Sequence, residues 1–98
     1  MAKLFYFDGD EVKTKEVTPK NPEEGFTLKE LYAMLDCDLI EIFHINDEEM
    51  FVCDEEFRLK EGWQERWNAP ANQYVTNTCH RYFNLCGNVL ICKLEDVK

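Results

Sequence analysis

The sequence predicts an α+β domain: one small antiparallel or mixed sheet of about five strands in the order β-β-α-β-β-α-β, backed by one main helix and a short second helical segment. Three observations carry that expectation. Two β-prone segments flank Asp8-Gly9, a capping motif opens an amphipathic run at Thr27, and two apolar segments between residues 39 and 53 flank a polar turn. With 98 residues, 45% of them apolar and 13% aromatic, the chain suits a single compact domain over 1–98 rather than a disordered chain or a two-domain enzyme.

The first strand is expected at about 3–8, through Lys3-Leu-Phe-Tyr-Phe7, and the second at 11–17. Asp8-Gly9 lies between them, where a tight hairpin needs a positive φ and glycine adopts it without steric cost. Thr18 to Gly25 holds two prolines and a glycine and reads as a loop. In Phe26-Thr-Leu-Lys-Glu-Leu31, Thr27 can accept from the free amides of a first helical turn, Glu30 completes the capping box, and Phe26 can staple onto Leu31. Leu28, Leu31, Tyr32 and Leu35 then fall on one stripe that needs a sheet to cover it, and the helix should stop near Asp36.

Leu39 to Ile45 reads as a strand, with Met50 to Cys53 as its partner across Asn46-Asp-Glu-Glu49. Neither face of 39–45 is cleanly polar, which predicts a central strand with His44 in the core. Phe57 and Leu59 anchor an irregular segment after it. Pro70, with Asn68 or Ala69 as cap, starts a short helix. Cys86-Gly87-Asn88 is a turn, Val89 to Cys92 is the last strand, and a charged tail follows.

Twenty acidic residues against eleven basic ones give a formal charge of −9, which argues against direct nucleic-acid binding through a basic face. The charge is unevenly placed. From Glu30 to Glu56 there are ten acids and no lysine or arginine, whereas Arg66 to Leu94 has three bases and no acid. No signal-peptide pattern and no apolar run long enough for a membrane span is present, and an odd set of five cysteines is expected to stay reduced, which together predict a cytoplasmic protein.

The acidic stretch is the first functional candidate. Glu48, Glu49, Asp54, Glu55 and Glu56, with Phe51 and Phe57 as apolar anchors, form an expected docking surface for a basic protein, and its acids can imitate a row of phosphates. The plainer account is a solvated face that keeps a small protein soluble. A second candidate is the aromatic and amide-rich segment from Trp63 to Tyr74. Trp63, Arg66, Trp67, Asn68 and Asn72, joined by Arg81, are residue types that suit a nucleotide-type small molecule. There the plainer account is that the rings close the core and the amides cap turns.

Chemistry is weakly signalled. Cys79-His80, Cys86 and Cys92 have poor spacing for a tetrahedral ion and there is no Cys-x-x-Cys, so neither a metal nor a cofactor is expected. The chain has no serine, its four glycines form no phosphate loop, and adjacent Cys79 and His80 point apart, so a catalytic function is not expected.

With these elements laid out, the chain resembles the domain of unknown function 3846 family, small proteins and modules encoded by phages, plasmids and conjugative elements. The resemblance rests on the amino-terminal hairpin, Phe26-Thr-Leu-Lys-Glu-Leu31 leading into Leu39-Ile-Glu-Ile42, and Met50 to Asp54 followed by Glu55-Glu56. Asn68 and Ala71 in an Asn-x-x-Ala pattern and Gly87-Asn-Val-Leu-Ile91 complete it. It implies a genomic setting whose proteins often counter host defences. The expected function is therefore a non-enzymatic inhibitor that docks its acidic surface onto a host protein, a nucleic-acid-binding defence factor being one such partner. Sequestration of a nucleotide-type signal and a structural accessory role are the alternatives, and the oligomeric state is left open.

Overall fold

The computed structural model describes residues 2–57, 62–80 and 83–97. Five strands and two helices occur in the predicted order: β1 (Ala2–Asp8), β2 (Glu11–Val17), α1 (Leu28–Leu35), β3 (Ile40–His44), β4 (Glu49–Asp54), α2 (Ala69–Cys79) and β5 (Val89–Lys93). Short 3₁₀ turns lie at Trp63–Arg66 and Leu94–Asp96. The sheet is antiparallel throughout, in the order β2-β1-β5-β4-β3.

One sheet thus separates two cores. On one face Leu4, Leu90, Val52 and Met50 pack with Leu31 and Leu35 of α1. On the other Phe5, Val89, Ile91 and Phe51 pack with Ala71 and Val75 of α2. The alternation along each strand sends successive side chains to different helices, so β5, with Val89 to Cys92 all buried, is the central strand. The expectation that β3 is central is corrected, because it lies at the sheet edge and His44 is exposed rather than in the core. Mixed apolar composition shows that both faces of a strand touch something, but not that a neighbour lies on each side.

The capping box at α1 forms as predicted. Thr27 Oγ1 accepts from the Glu30 N–H at 3.1 Å, the Glu30 carboxylate accepts from the Thr27 N–H at 3.4 Å, and such a cap contributes about 1 kcal/mol. Leu28, expected in the buried stripe, is 58% exposed, and Phe26, the residue before the cap, supplies the buried ring instead. The Phe26 N–H donates to the Asp96 carbonyl at 2.7 Å, and Leu94 and Val97 pack on the α1 core, so the charged end of the chain is docked.

α2 runs for eleven residues and is longer than α1, not the short segment expected. Asn68 caps it by accepting from the Ala71 N–H at 3.2 Å. One turn on, Asn72 donates to the Asn68 and Leu85 carbonyls and accepts from the Leu85 N–H, which ties the helix to the approach of β5.

Candidate functional site

The β3–β4 hairpin and the segments entering and leaving it carry the acids without a lysine or arginine from residue 30 to 57. The structure sorts the exposed ones into two groups. Asp47 and Glu48 sit exposed at the hairpin turn, where Asn46 Oδ1 accepts from the N–H groups of Glu48 and Glu49, each at 2.8 Å. Asp36, Asp38, Glu41, Glu55 and Glu56 are exposed near the other end of β4, around Asp54. Six residues of β4 at ~3.3 Å each separate the groups by roughly 20 Å, so the acids expected to imitate a row of phosphates fall into two clusters.

Two clefts meet at Asp54. One, of about 320 Å³, is lined by Glu41, Asp54 and Glu55 beside Cys53, Phe57 and Phe83. The other, of about 230 Å³, lies between Tyr32, Asp36 and Asp38 on one side and Asp54 and Glu56 on the other. Burial, helped by the negative charges of Glu41 and Asp54, pushes the Cys53 thiol up to about 12, which disfavours the thiolate.

Asp36 closes α1 and faces the second cleft. It is the C-cap of α1 in the left-handed conformation, φ +51°, where glycine is favoured. Its carboxylate also adds negative charge at the negative end of the helix dipole, and no base stands in the last turn.

Not all of the sequence-predicted docking residues reach the surface. Phe51 is 2% exposed, stacked on Phe43 at 5.6 Å and edge-on to Phe83, so it is a core ring and not a docking anchor. Asp54 is buried, and its Oδ1 accepts from the Glu56 N–H at 2.9 Å. Glu49 is half-buried, with Oε2 accepting from the Tyr74 hydroxyl at 2.7 Å; that bond, together with burial, raises the Tyr74 pKa. Phe57 is half-buried, and its ring lies against Gly87, leaving no room there for a β-carbon; Gly87 also has a φ of +73°. Glu48, Glu55 and Glu56 remain exposed. Asp36, Asp38 and Glu41 were counted in the acid-only stretch but not among the expected docking residues, and neither was the exposed Ile42; the signal was an apolar strand whose flanks carry only acids.

The second candidate set is dispersed. Asn68 is fully buried and gives both side-chain N–H groups to the Phe5 and Gly87 carbonyls, while both of those of Asn72 go to the Asn68 and Leu85 carbonyls, so neither amide keeps a donor for a ligand. Arg66 donates to the Gly9 carbonyl at 2.7 Å and lies over the Phe7 ring, pinning the 62–66 segment to the first hairpin. Trp67 is 49% exposed. Arg81, Leu59 and the side chain of Trp63 lie outside the described residues.

Among the described residues, no three His, Cys, Asp or Glu side chains converge as metal ligands, and no helix is long and apolar enough to cross a membrane. The basic stretch does not form a face of its own: it supplies α2 and the central strand, and Lys93 pairs in register with Glu49.

An antiparallel sheet between two helices, with one edge apolar and flanked by acids, defines a small three-layer α+β domain. The chain belongs to the domain of unknown function family DUF3846, whose profile matches residues 3–98. Comparisons with curated proteins and with solved structures found no significant match.

Proposed function

We propose that this chain is a non-enzymatic interaction protein of a phage or mobile element that inhibits a host defence factor by docking an acidic surface onto a basic one. The observation that supports the reading is the placement of Asp36, Asp38, Glu41, Glu55 and Glu56, all exposed around one end of the β3–β4 hairpin, in a stretch that contains no lysine or arginine. Such a one-signed field steers a basic partner to this edge and raises the association rate.

The test is charge reversal to lysine at Asp38, Glu48, Glu55 and Glu56, all exposed; Glu49 is left alone because it holds the Tyr74 hydroxyl. In affinity capture from host lysate, the wild type retains a partner at low salt and releases it near ~0.5 M, where exposed charges are screened within a few ångströms. The variant retains none, while its melting midpoint stays within about 3 °C. Equal capture by the two proteins, or capture indifferent to salt, overturns the reading.

A further inference from the structure

The outer edge of β3 has a definite hydrogen-bonding register. At one end the Glu55 N–H donates to the Leu39 carbonyl at 3.1 Å, and at the other the Ile45 N–H donates to the Glu49 carbonyl at 2.9 Å. Between them the pairing runs without a bulge from Ile40 opposite Asp54 to His44 opposite Met50. Hydrogen-bonded pairs alternate in an antiparallel ladder, so Leu39, Glu41, Phe43 and Ile45 direct their backbone groups to β4. Ile40, Ile42 and His44 therefore turn their N–H and C=O groups outward, and among the described residues no strand lies beyond them.

Edges of this kind are usually blocked by lysine, proline or a bulge. β3 has none of these; it reads Ile-Glu-Ile-Phe-His, and Ile42 is 42% exposed. The charges nearby select the occupant. Asp38, Glu41 and Glu55 stand at one end and Asp47 and Glu48 at the other. A second copy pairing antiparallel about Ile42 would lay the first group against the second, acid on acid, so self-pairing is opposed. A basic segment meets the opposite sign at both ends.

We infer that β3 is a strand-addition site for an extended partner segment that alternates β-branched residues with lysine or arginine. Side chains of such a strand fall alternately beside Ile40 and Ile42 on the α1 side and beside Glu41 on the α2 side, which sets the two-residue repeat. This rests on the acidic-docking reading and specifies its geometry: backbone pairing holds the partner, and charge brings it in.

The probe is a fluorescein-labelled nine-residue peptide alternating lysine and valine, with a helical lysine–alanine peptide of equal charge as control. The extended peptide is expected to bind at least tenfold more tightly, and amide hydrogen exchange at Ile40, Ile42 and His44 to slow on binding. Ile42→Pro removes an outward N–H without touching the β4 ladder, so it should weaken that binding at least tenfold and leave the control peptide unaffected; His44→Pro does the same should the first variant lose its fold. Equal binding of both peptides, insensitive to Ile42→Pro but lost on reversing the four acids, overturns strand addition and leaves acidic docking standing. Binding of neither peptide at low salt overturns both. A wild-type dimer that Ile42→Pro abolishes assigns the edge to a second copy and overturns the inference.

Discussion

The two edges of this sheet are built on opposite plans. β2 carries Glu11, Lys13, Lys15 and Glu16, charges of both signs along one exposed strand. Lys13 pairs with Asp8 at 2.6 Å, and Lys15 lies over the Tyr6 ring, so the outer hairpin closes on itself with solvated ends. Mutual hydrogen bonding holds the Asp8 carboxyl below, and the Lys13 ammonium above, their ordinary values. β3 carries a single charge, Glu41, between exposed and half-buried apolar side chains, and it lies within a stretch of the chain, residues 30 to 57, that contains no lysine or arginine. One edge is closed to pairing by charges of both signs; the other is apolar at its centre and acidic at its ends. The difference places the proposed docking edge more sharply than net charge does, because −9 is a property of the whole chain and the open edge belongs to five residues.

The largest effect that separates inward from outward positions on β3 comes from proline. Glu41→Pro removes a ladder bond to β4 and should cost about 3 kcal/mol, a fall of roughly 12–24 °C in melting midpoint for a domain of this size. Ile42→Pro, one residue along, should cost under about 1 kcal/mol in the same calorimetric scan. Comparable losses in both would mean that the assigned register is wrong.

A smaller effect, of opposite sign, tests the strain at the acidic end. Asp36→Gly relieves a left-handed non-glycine cap and an unfavourable dipole contact, and should raise unfolding stability by about 0.5–1 kcal/mol while lowering affinity for the lysine–valine peptide. A variant that is less stable than the wild type in urea titration would show that the Asp36 side chain stabilises the cap instead of straining it. The smallest change in fold stability is expected at the guarded edge. Lys13→Val with Lys15→Val strips β2 of its lysines and should create a second adhesive strand, seen in sedimentation as a mass that rises with concentration. A strictly monomeric double variant would show that lysine is not what closes that edge.

Local chemistry was legible in the sequence wherever neighbouring residues decide the outcome. The Asp8-Gly9 turn, with Gly9 at φ +66°, the capping box of Thr27 and Glu30, the stop at Asp36 and the Asn68 cap all depend on residues within a few positions of one another. Element order followed for the same reason. Strand order did not, since β5 reaches its place between β1 and β4 only through contacts more than 35 residues distant in the chain. The composition of 39–45 therefore identified a strand but not its position, and an edge strand was taken for the central one.

The same division runs through the candidate site. By itself the sequence determined that residues 30 to 56 concentrate acid without base, that the chain folds as β-β-α-β-β-α-β, and that Glu48, Glu55 and Glu56 lie in turns where water reaches them. Only the tertiary structure decided that Phe51 faces Phe43 and Phe83 in the core, that both side-chain donors of Asn68 and of Asn72 are spent on backbone carbonyls, and that β3 has no neighbour on its outer side among the described residues. Hydrophobic pattern tells a side chain whether to leave water; which backbone it meets, and which edge it leaves open, is settled by partners that the chain brings together from far away.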